Sequence, residues 1–100
     1  MTLSQLLAVK VVRGLAVGRC VNHSRLTNQH AHAHHDPTDK YAGWICIENP
    51  RRILKPGSQQ VSRIMLEELA HLLSGHGHDD AWRAVMRSMG LRLTKAERKR

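Results

Sequence analysis

The clearest helical pattern runs from Gln59 to Ser74, a stretch that contains neither Gly nor Pro. Its apolar residues fall along one stripe of a helix. They are Val61, Met65, Leu69, Leu72 and Leu73. Ser58 is placed to cap the start of this helix, and Gly75 is placed to end it. The pattern therefore predicts an amphipathic helix over this stretch, packed on a core along one side.

A second helical pattern follows a short glycine-containing turn. Asp79 is a good N-cap, and Gly90 supplies a C-terminal stop. Between them, apolar residues repeat at helical spacing: Trp82, Val85, Met86 and Met89. Near the N-terminus, a third pattern predicts a helix from about Ser4 to Leu15, ending near Gly14 or Gly18.

Two short stretches carry the pattern of strands. His30 to His34 alternates histidine with alanine, so the histidines would face one way and the alanines the other. Trp44 to Ile47 is a short apolar run closed by Asn49-Pro50. Because turn residues separate the two stretches, a hairpin is the economical interpretation. The order helix, strands, helix, helix predicts an α+β fold.

One hundred residues are enough for one small domain, which we expect to span residues 1–92 and to be followed by a basic, solvated tail at 93–100. The chain has no Phe, one Tyr and two Trp, so its core must be mainly aliphatic. Lys and Arg outnumber Asp and Glu by 16 to 8, which gives a formal charge of +8. That charge allows non-specific contact with nucleic acid, but it equally fits a solubility role or a disordered basic tail.

Cysteine usage and hydropathy predict a reduced, cytoplasmic protein with no membrane partner. Cys20 and Cys46 form no CxxC pair, and neither has a near cysteine neighbour with which to build a zinc ribbon. No run approaches the roughly 18 apolar residues of a membrane helix. The N-terminus is a poor secretory signal because Lys10 and Arg13 interrupt its apolar part.

The candidate chemistry lies in the stretch LEELAHLLSGHGHDDAW, residues 66–82. Glu67 and His71 are four residues apart, so they share one helical face and could bind a common ion. Glu68 lies beside that face, where zinc peptidases place the carboxylate that activates water. A third ligand normally comes from beyond the helix, and either His76 or His78 could supply it from the flexible turn.

The same residues also fit a helix face that is simply polar and solvent-exposed, because such a face would show the same sequence pattern. Taken alone, EExxH is a weak signal, since the usual zinc motif is HExxH. A carboxylate in the first position is still a competent Zn²⁺ ligand, although its negative charge would make a bound water less acidic.

The remaining histidines divide into two groups. His30, His34 and His35 fit a polar, histidine-rich loop better than a metal site. His32 is the exception, because a histidine in mid-strand that faces a cleft could hydrogen-bond a substrate or an oxyanion.

These residues resemble the SprT-like zinc metallopeptidase domain, particularly its short phage and bacterial members. The likeness runs from about residue 31 to residue 90 and includes AHAHH, GWICI and the stretch from Glu68 to Trp82. It implies His71 and His78 as zinc ligands and Glu68 as general base, while the family's first histidine falls on Glu67. We expect this replacement of a histidine ligand by Glu67 to affect catalysis more than the fold.

Two functions follow from the resemblance as expectations. The first is a zinc-dependent metallopeptidase that hydrolyses a protein or peptide substrate, with Glu67, His71 and His78 around the metal. The second is a catalytically impaired SprT-like fold that acts as a basic module for binding nucleic acid or protein.

Overall fold

The structure is a computed structural model, and it describes residues 1–22 and 30–98. Its elements, in chain order, are four helices and three strands, with a single 3-10 turn at Pro50–Arg52. They are α1 (Leu3–Leu7), β1 (Gly14–Val17), β2 (Ala31–Ala33), β3 (Trp44–Ile47), α2 (Arg63–Ser74), α3 (Asp80–Ser88) and α4 (Lys95–Arg98). The predicted α+β class is confirmed. Within the described residues, no helix is long and apolar enough to cross a membrane.

The three strands form one sheet in the order β1-β3-β2. β2 pairs antiparallel with β3, which confirms the predicted hairpin. β1 pairs with β3 in parallel, with Gly14 opposite Trp44 and Val17 opposite Ile47. Both β1 and β2 are therefore edge strands.

The predicted helix over residues 4–15 is wrong in its extent. Thr2 and Gln5 form a capping box that starts α1, but the helix ends after Leu7. Residues 14–17 instead pair with β3. The physical reason is tertiary, because pairing beside a buried strand outweighs the weak helical preference of a segment with several β-branched valines.

Strand register gives the sheet two chemically different faces. Side chains alternate along a strand, so Ile45 and Ile47 share a face with Ala31 and Ala33, and this face packs on the core that includes Leu69 of α2. The opposite face carries Cys46, His32 and His34. On that face the indole of Trp44 lies over Gly14, where an added Cβ would sit only 2.6 Å from the ring.

The helix predicted over residues 59–74 starts later in the structure than the sequence pattern indicated. α2 begins after Ser62, whose hydroxyl accepts a hydrogen bond from the backbone N–H of Met65, rather than after Ser58. Val61 is held outside the helix by an isolated bridge to Leu54. The end is as predicted, since Gly75 adopts the left-handed conformation with φ 69° and caps the helix.

α3 follows the sequence prediction closely. Asp79 is its N-cap and accepts a hydrogen bond from the backbone N–H of Trp82. Trp82 and Met86 are fully buried with Ala70 of α2, and Leu93 joins the same cluster. α3 is therefore anchored on the C-terminal half of α2.

The described part of the C-terminal segment contacts the rest of the domain. Leu93 is buried, and residues 95–98 form the short helix α4. The carboxylate of Glu97 pairs with the guanidinium of Arg63 at 2.7 Å, which ties α4 to the first turn of α2.

Candidate functional site

A cleft of about 420 Å³ opens between β2 and α2. It brings together most of the side chains that the sequence singled out. Its lining consists of His30, Ala31, His32, Ala33, His35, Ile64, Glu67, Glu68, His71, Gly77 and His78.

His71 lies in the last turn of α2 and is held in one orientation. Its Nδ1 lies 2.8 Å from the carbonyl oxygen of His76, so that nitrogen is the donor in the neutral ring. Its Nε2 lies 3.2 Å from Nε2 of His78. Trp82 stacks on the same imidazole, with ring centroids 5.5 Å apart, and His35 stacks at 5.6 Å. Burial lowers the pKa of His71, which favours the neutral form that binds metals.

The structure distinguishes the two histidines of the turn. His76 directs its ring towards Asp79, with Nδ1 2.6 Å from the carboxylate, and offers only its carbonyl to His71. His78 instead brings a ring nitrogen to His71. The geometry thus favours His78 over His76 as the partner of His71.

Glu68 is a nearly buried carboxylate that borders the cleft, with 9% of its surface exposed. Within the part of the chain that the structure describes, no hydrogen bond reaches its side chain. Burial raises the pKa of Glu68 to about 7, and the neighbouring Glu67 adds to the rise. A carboxylate in this setting is available to exchange protons with a bound molecule.

Glu67 also borders the cleft, but its carboxylate is already paired. Arg63, one turn earlier on α2, donates a hydrogen bond from Nε to Glu67 at 2.9 Å. Burial raises the pKa of Glu67, while Arg63 acts in the opposite direction. Among the described residues, no hydrogen bond joins this carboxylate to His71 or His78, so its role as the third ligand stays a prediction.

His32 lies on β2 and borders the cleft, as the sequence suggested. Its Nε2, however, lies 3.1 Å from the sulfur of Cys20. The imidazole of His32, which we expected to contact a substrate or an oxyanion, therefore has a cysteine as a neighbour in the structure.

That neighbour belongs to a group of four side chains that could hold a metal ion, here called the Cys/His cluster. Its members are Cys20, His32, His34 and Cys46. One ligand atom from each lies within 4.8 Å of all the others. The two sulfurs are 3.8 Å apart, and Nε2 of His34 lies 3.3 Å from the Cys20 sulfur and 3.5 Å from the Cys46 sulfur.

A carboxylate orients one member of the Cys/His cluster. Nδ1 of His34 lies 2.8 Å from the carboxylate of Asp39, which turns Nε2 towards the sulfurs. Burial acts to lower the pKa of His34, but the hydrogen bonds to Asp39 and Cys20 outweigh it and raise the pKa. Burial raises the pKa of the Cys46 thiol to about 11.

The sequence prediction missed the Cys/His cluster because it looked for closely spaced cysteines and assigned His34 to a polar loop. Eleven residues separate Cys20 from His32, and eleven separate His34 from Cys46. Ligands this far apart in the sequence do not form a recognisable metal-binding motif. The available signal was the alternation in HAHAH, which correctly placed His32 and His34 on one face, together with Cys46 at a mid-strand position.

Comparison with known proteins gives no independent assignment, since no protein-family model, curated protein or solved structure matches the chain.

Proposed function

We propose that the chain is a zinc-dependent hydrolase of the SprT-like metallopeptidase type, which cleaves peptide bonds in the cleft between β2 and α2. One observation carries the proposal. Two oriented imidazole nitrogens, on His71 and His78, lie 3.2 Å apart in the cleft. The nearly buried Glu68, to which no described residue donates a hydrogen bond, also borders that cleft.

The spacing of the two histidines fits a shared zinc ion. Zinc–nitrogen bonds are about 2.0–2.1 Å long, so two ligands of a tetrahedral zinc lie about 3.3–3.4 Å apart. The observed separation of 3.2 Å is close to that value. The hydrogen bond from His71 Nδ1 to the His76 carbonyl is the kind of outer contact that fixes a metal-binding histidine.

His71, His78 and Glu67 would hold the ion. When bound, zinc would polarise the substrate carbonyl and lower the pKa of water in the cleft. Glu68 would accept the proton of the attacking water and return it to the leaving amine. Because Glu68 accepts no hydrogen bond from the described residues, its oxygens are free to take that proton.

The edge of β2 supports a polypeptide as the substrate. Backbone groups of His30 and His34 bond to β3, through the amide of Glu48 and the carbonyl of Trp44. In an antiparallel ladder, alternate residues point their N–H and C=O groups the opposite way. Ala31 and Ala33 therefore direct theirs to the other edge of β2, which lines the cleft and where no strand of the described residues pairs. An extended peptide would add there as a further strand.

The test is Glu68→Gln, with Glu48→Gln on the exposed surface as the matched control. Removing the proton acceptor should lower kcat for an unstructured protein substrate by about 100-fold or more. The zinc content, measured by mass spectrometry, should not change, and the melting temperature should not fall. Unchanged hydrolysis in Glu68→Gln would refute the mechanism.

The ion pair between Arg63 and Glu67 supports a second function. A carboxylate held by Arg63 at 2.9 Å is a poorer metal ligand than a free one. The alternative is a catalytically impaired SprT-like fold that binds nucleic acid or protein through its basic surface. Zinc bound at one equivalent in the cleft without any hydrolysis by the wild-type chain would favour this alternative.

A further inference from the structure

We propose that the Cys/His cluster is a second, structural zinc site, separate from the cleft site and independent of any hydrolytic activity. It would lie on the sheet face that carries Cys46, His32 and His34. The proposal rests on the spacing of the four ligand atoms, on the partner of His34 and on the chemistry of the donors.

The spacing approaches that of a tetrahedral zinc ion. With zinc–sulfur bonds of about 2.3 Å and zinc–nitrogen bonds of about 2.0–2.1 Å, tetrahedral geometry places two sulfurs about 3.8 Å apart. A sulfur and a nitrogen lie about 3.6 Å apart in the same geometry. The observed sulfur pair is 3.8 Å apart, three of the four sulfur–nitrogen pairs lie at 3.1, 3.3 and 3.5 Å, and every pair of ligand atoms lies within 4.8 Å.

The contact between His34 and Asp39 is typical of a metal-binding histidine. A carboxylate on one ring nitrogen fixes the tautomer and makes the other nitrogen a better donor. Asp39 is itself held in place, because its second oxygen accepts the backbone N–H of Tyr41 at 2.8 Å. This support does not depend on the distances within the cluster.

The donor set selects the metal and its role. Two thiolates and two imidazoles suit zinc, and four protein ligands leave no open position for a substrate. Cys20 and Cys46 are both buried, so an ion here would be shielded from solvent. The proposed site is therefore closed and structural, unlike the open cleft.

The ligands come from three parts of the chain. Cys20 follows β1, His32 and His34 lie on or next to β2, and Cys46 is in the middle of β3. A single ion would join both edge strands to the central one. Since β2 also borders the cleft, the ion would fix one wall of the catalytic site without contacting the substrate.

The experiment uses the full chain with the double substitution His71→Ala/His78→Ala, which removes the cleft site. Titrated with Co²⁺, this protein should bind one equivalent and show the intense thiolate-to-cobalt charge-transfer absorption. Cys20→Ser in the same background should abolish that absorption. His30→Ala, which removes a neighbouring histidine outside the cluster, should leave it intact.

A second measurement does not require any variant to fold. In the zinc-loaded wild-type chain, both thiols should resist a thiol reagent, and they should react after a strong chelator is added. The chelator should also lower the melting temperature by about 10 °C or more. Thiols that react equally with and without zinc, or that form a Cys20–Cys46 disulfide in the presence of zinc, would overturn the site.

The two proposals fail separately. Loss of the cobalt signal in the double variant would refute the structural site and leave the cleft untouched. A chain that keeps the cobalt signal but does not hydrolyse peptides would count against the proposed function of the cleft and not against the structural site.

Discussion

The imidazole of His71 has less freedom than a surface histidine in the last turn of a helix. The His76 carbonyl selects its tautomer, while the rings of His35 and Trp82 stack on it at interplanar angles of 25° and 24°. Fixing a ring before a ligand arrives reduces the entropy lost on binding. The cleft is therefore preorganised at His71, and its weaker point is Glu67.

Glu67→His tests that weaker point. The substitution supplies a neutral nitrogen donor in the first ligand position, so we expect zinc affinity at the cleft to rise on the order of tenfold, or about 1.4 kcal/mol. Hydrolysis should increase with it. Competition titration against a chromogenic chelator measures the affinity.

Glu67→Gln is the matched control for that substitution. It removes the negative charge and weakens the pairing with Arg63, but it adds only a poor zinc ligand. Equal affinities for the two variants would mean that position 67 does not contact the metal.

At the scale of elements, the three residues of β2 serve two purposes in alternation: one contributes its side chain to the Cys/His cluster, and its two neighbours present backbone groups to the cleft. His32 turns its side chain to the Cys/His cluster, while Ala31 and Ala33 face the core side. Their backbone groups point to the edge of β2 at which no described strand pairs. Because the two purposes alternate along the strand, a substitution at one residue can test one of them without the other.

Ala31→Pro removes one N–H from the cleft-lining edge of β2 without removing a bond to β3. If peptides add to this edge, KM for a peptide substrate should rise about fivefold or more, the loss of about one hydrogen bond. Ala31→Ser keeps the N–H and should leave KM near the wild-type value. Both variants should retain the circular dichroism spectrum of the parent, and an unchanged KM in Ala31→Pro would exclude pairing at that position.

The elements also show what the sequence could and could not predict. α3 was predictable because Asp79, the apolar repeat and Gly90 all agree locally. β1 was not, because Gly14–Val17 becomes a strand only through its parallel partner β3, which lies 30 residues further along the chain. The same reason hid the Cys/His cluster: its ligands are adjacent only after the sheet has formed. The proximity of His71 and His78 was predictable because the two residues follow each other closely around one helix end.

At the scale of the whole molecule, three of the sixteen Lys and Arg residues line one groove. Arg87, Arg92 and Arg98 border a groove beside Gly90. Such a group is a natural contact for phosphates, and the formal charge of +8 would strengthen long-range attraction.

We expect the chain to bind duplex DNA weakly and to lose that binding as salt rises. Replacing the three groove arginines with serine should weaken the Kd on the order of tenfold at low salt. A control that replaces Lys10, Arg51 and Arg52 removes the same charge elsewhere and should have a smaller effect. Fluorescence anisotropy at two salt concentrations makes the comparison, and equal losses would assign the binding to net charge alone.

The placement of the two tryptophans gives the molecule two separate optical reporters. Trp82 contacts both cleft histidines, with ring centroids 5.5 Å from His71 and 4.6 Å from His78. Trp44 instead lies over Gly14 on the sheet face that carries Cys46. Since the chain has only these two indoles, Trp44→Phe leaves an emission that reports on the cleft alone, and Trp82→Phe leaves one that reports on the sheet. If metal ions bind at both proposed sites, each site can be followed separately in the same protein by the wavelength and intensity of one tryptophan's fluorescence.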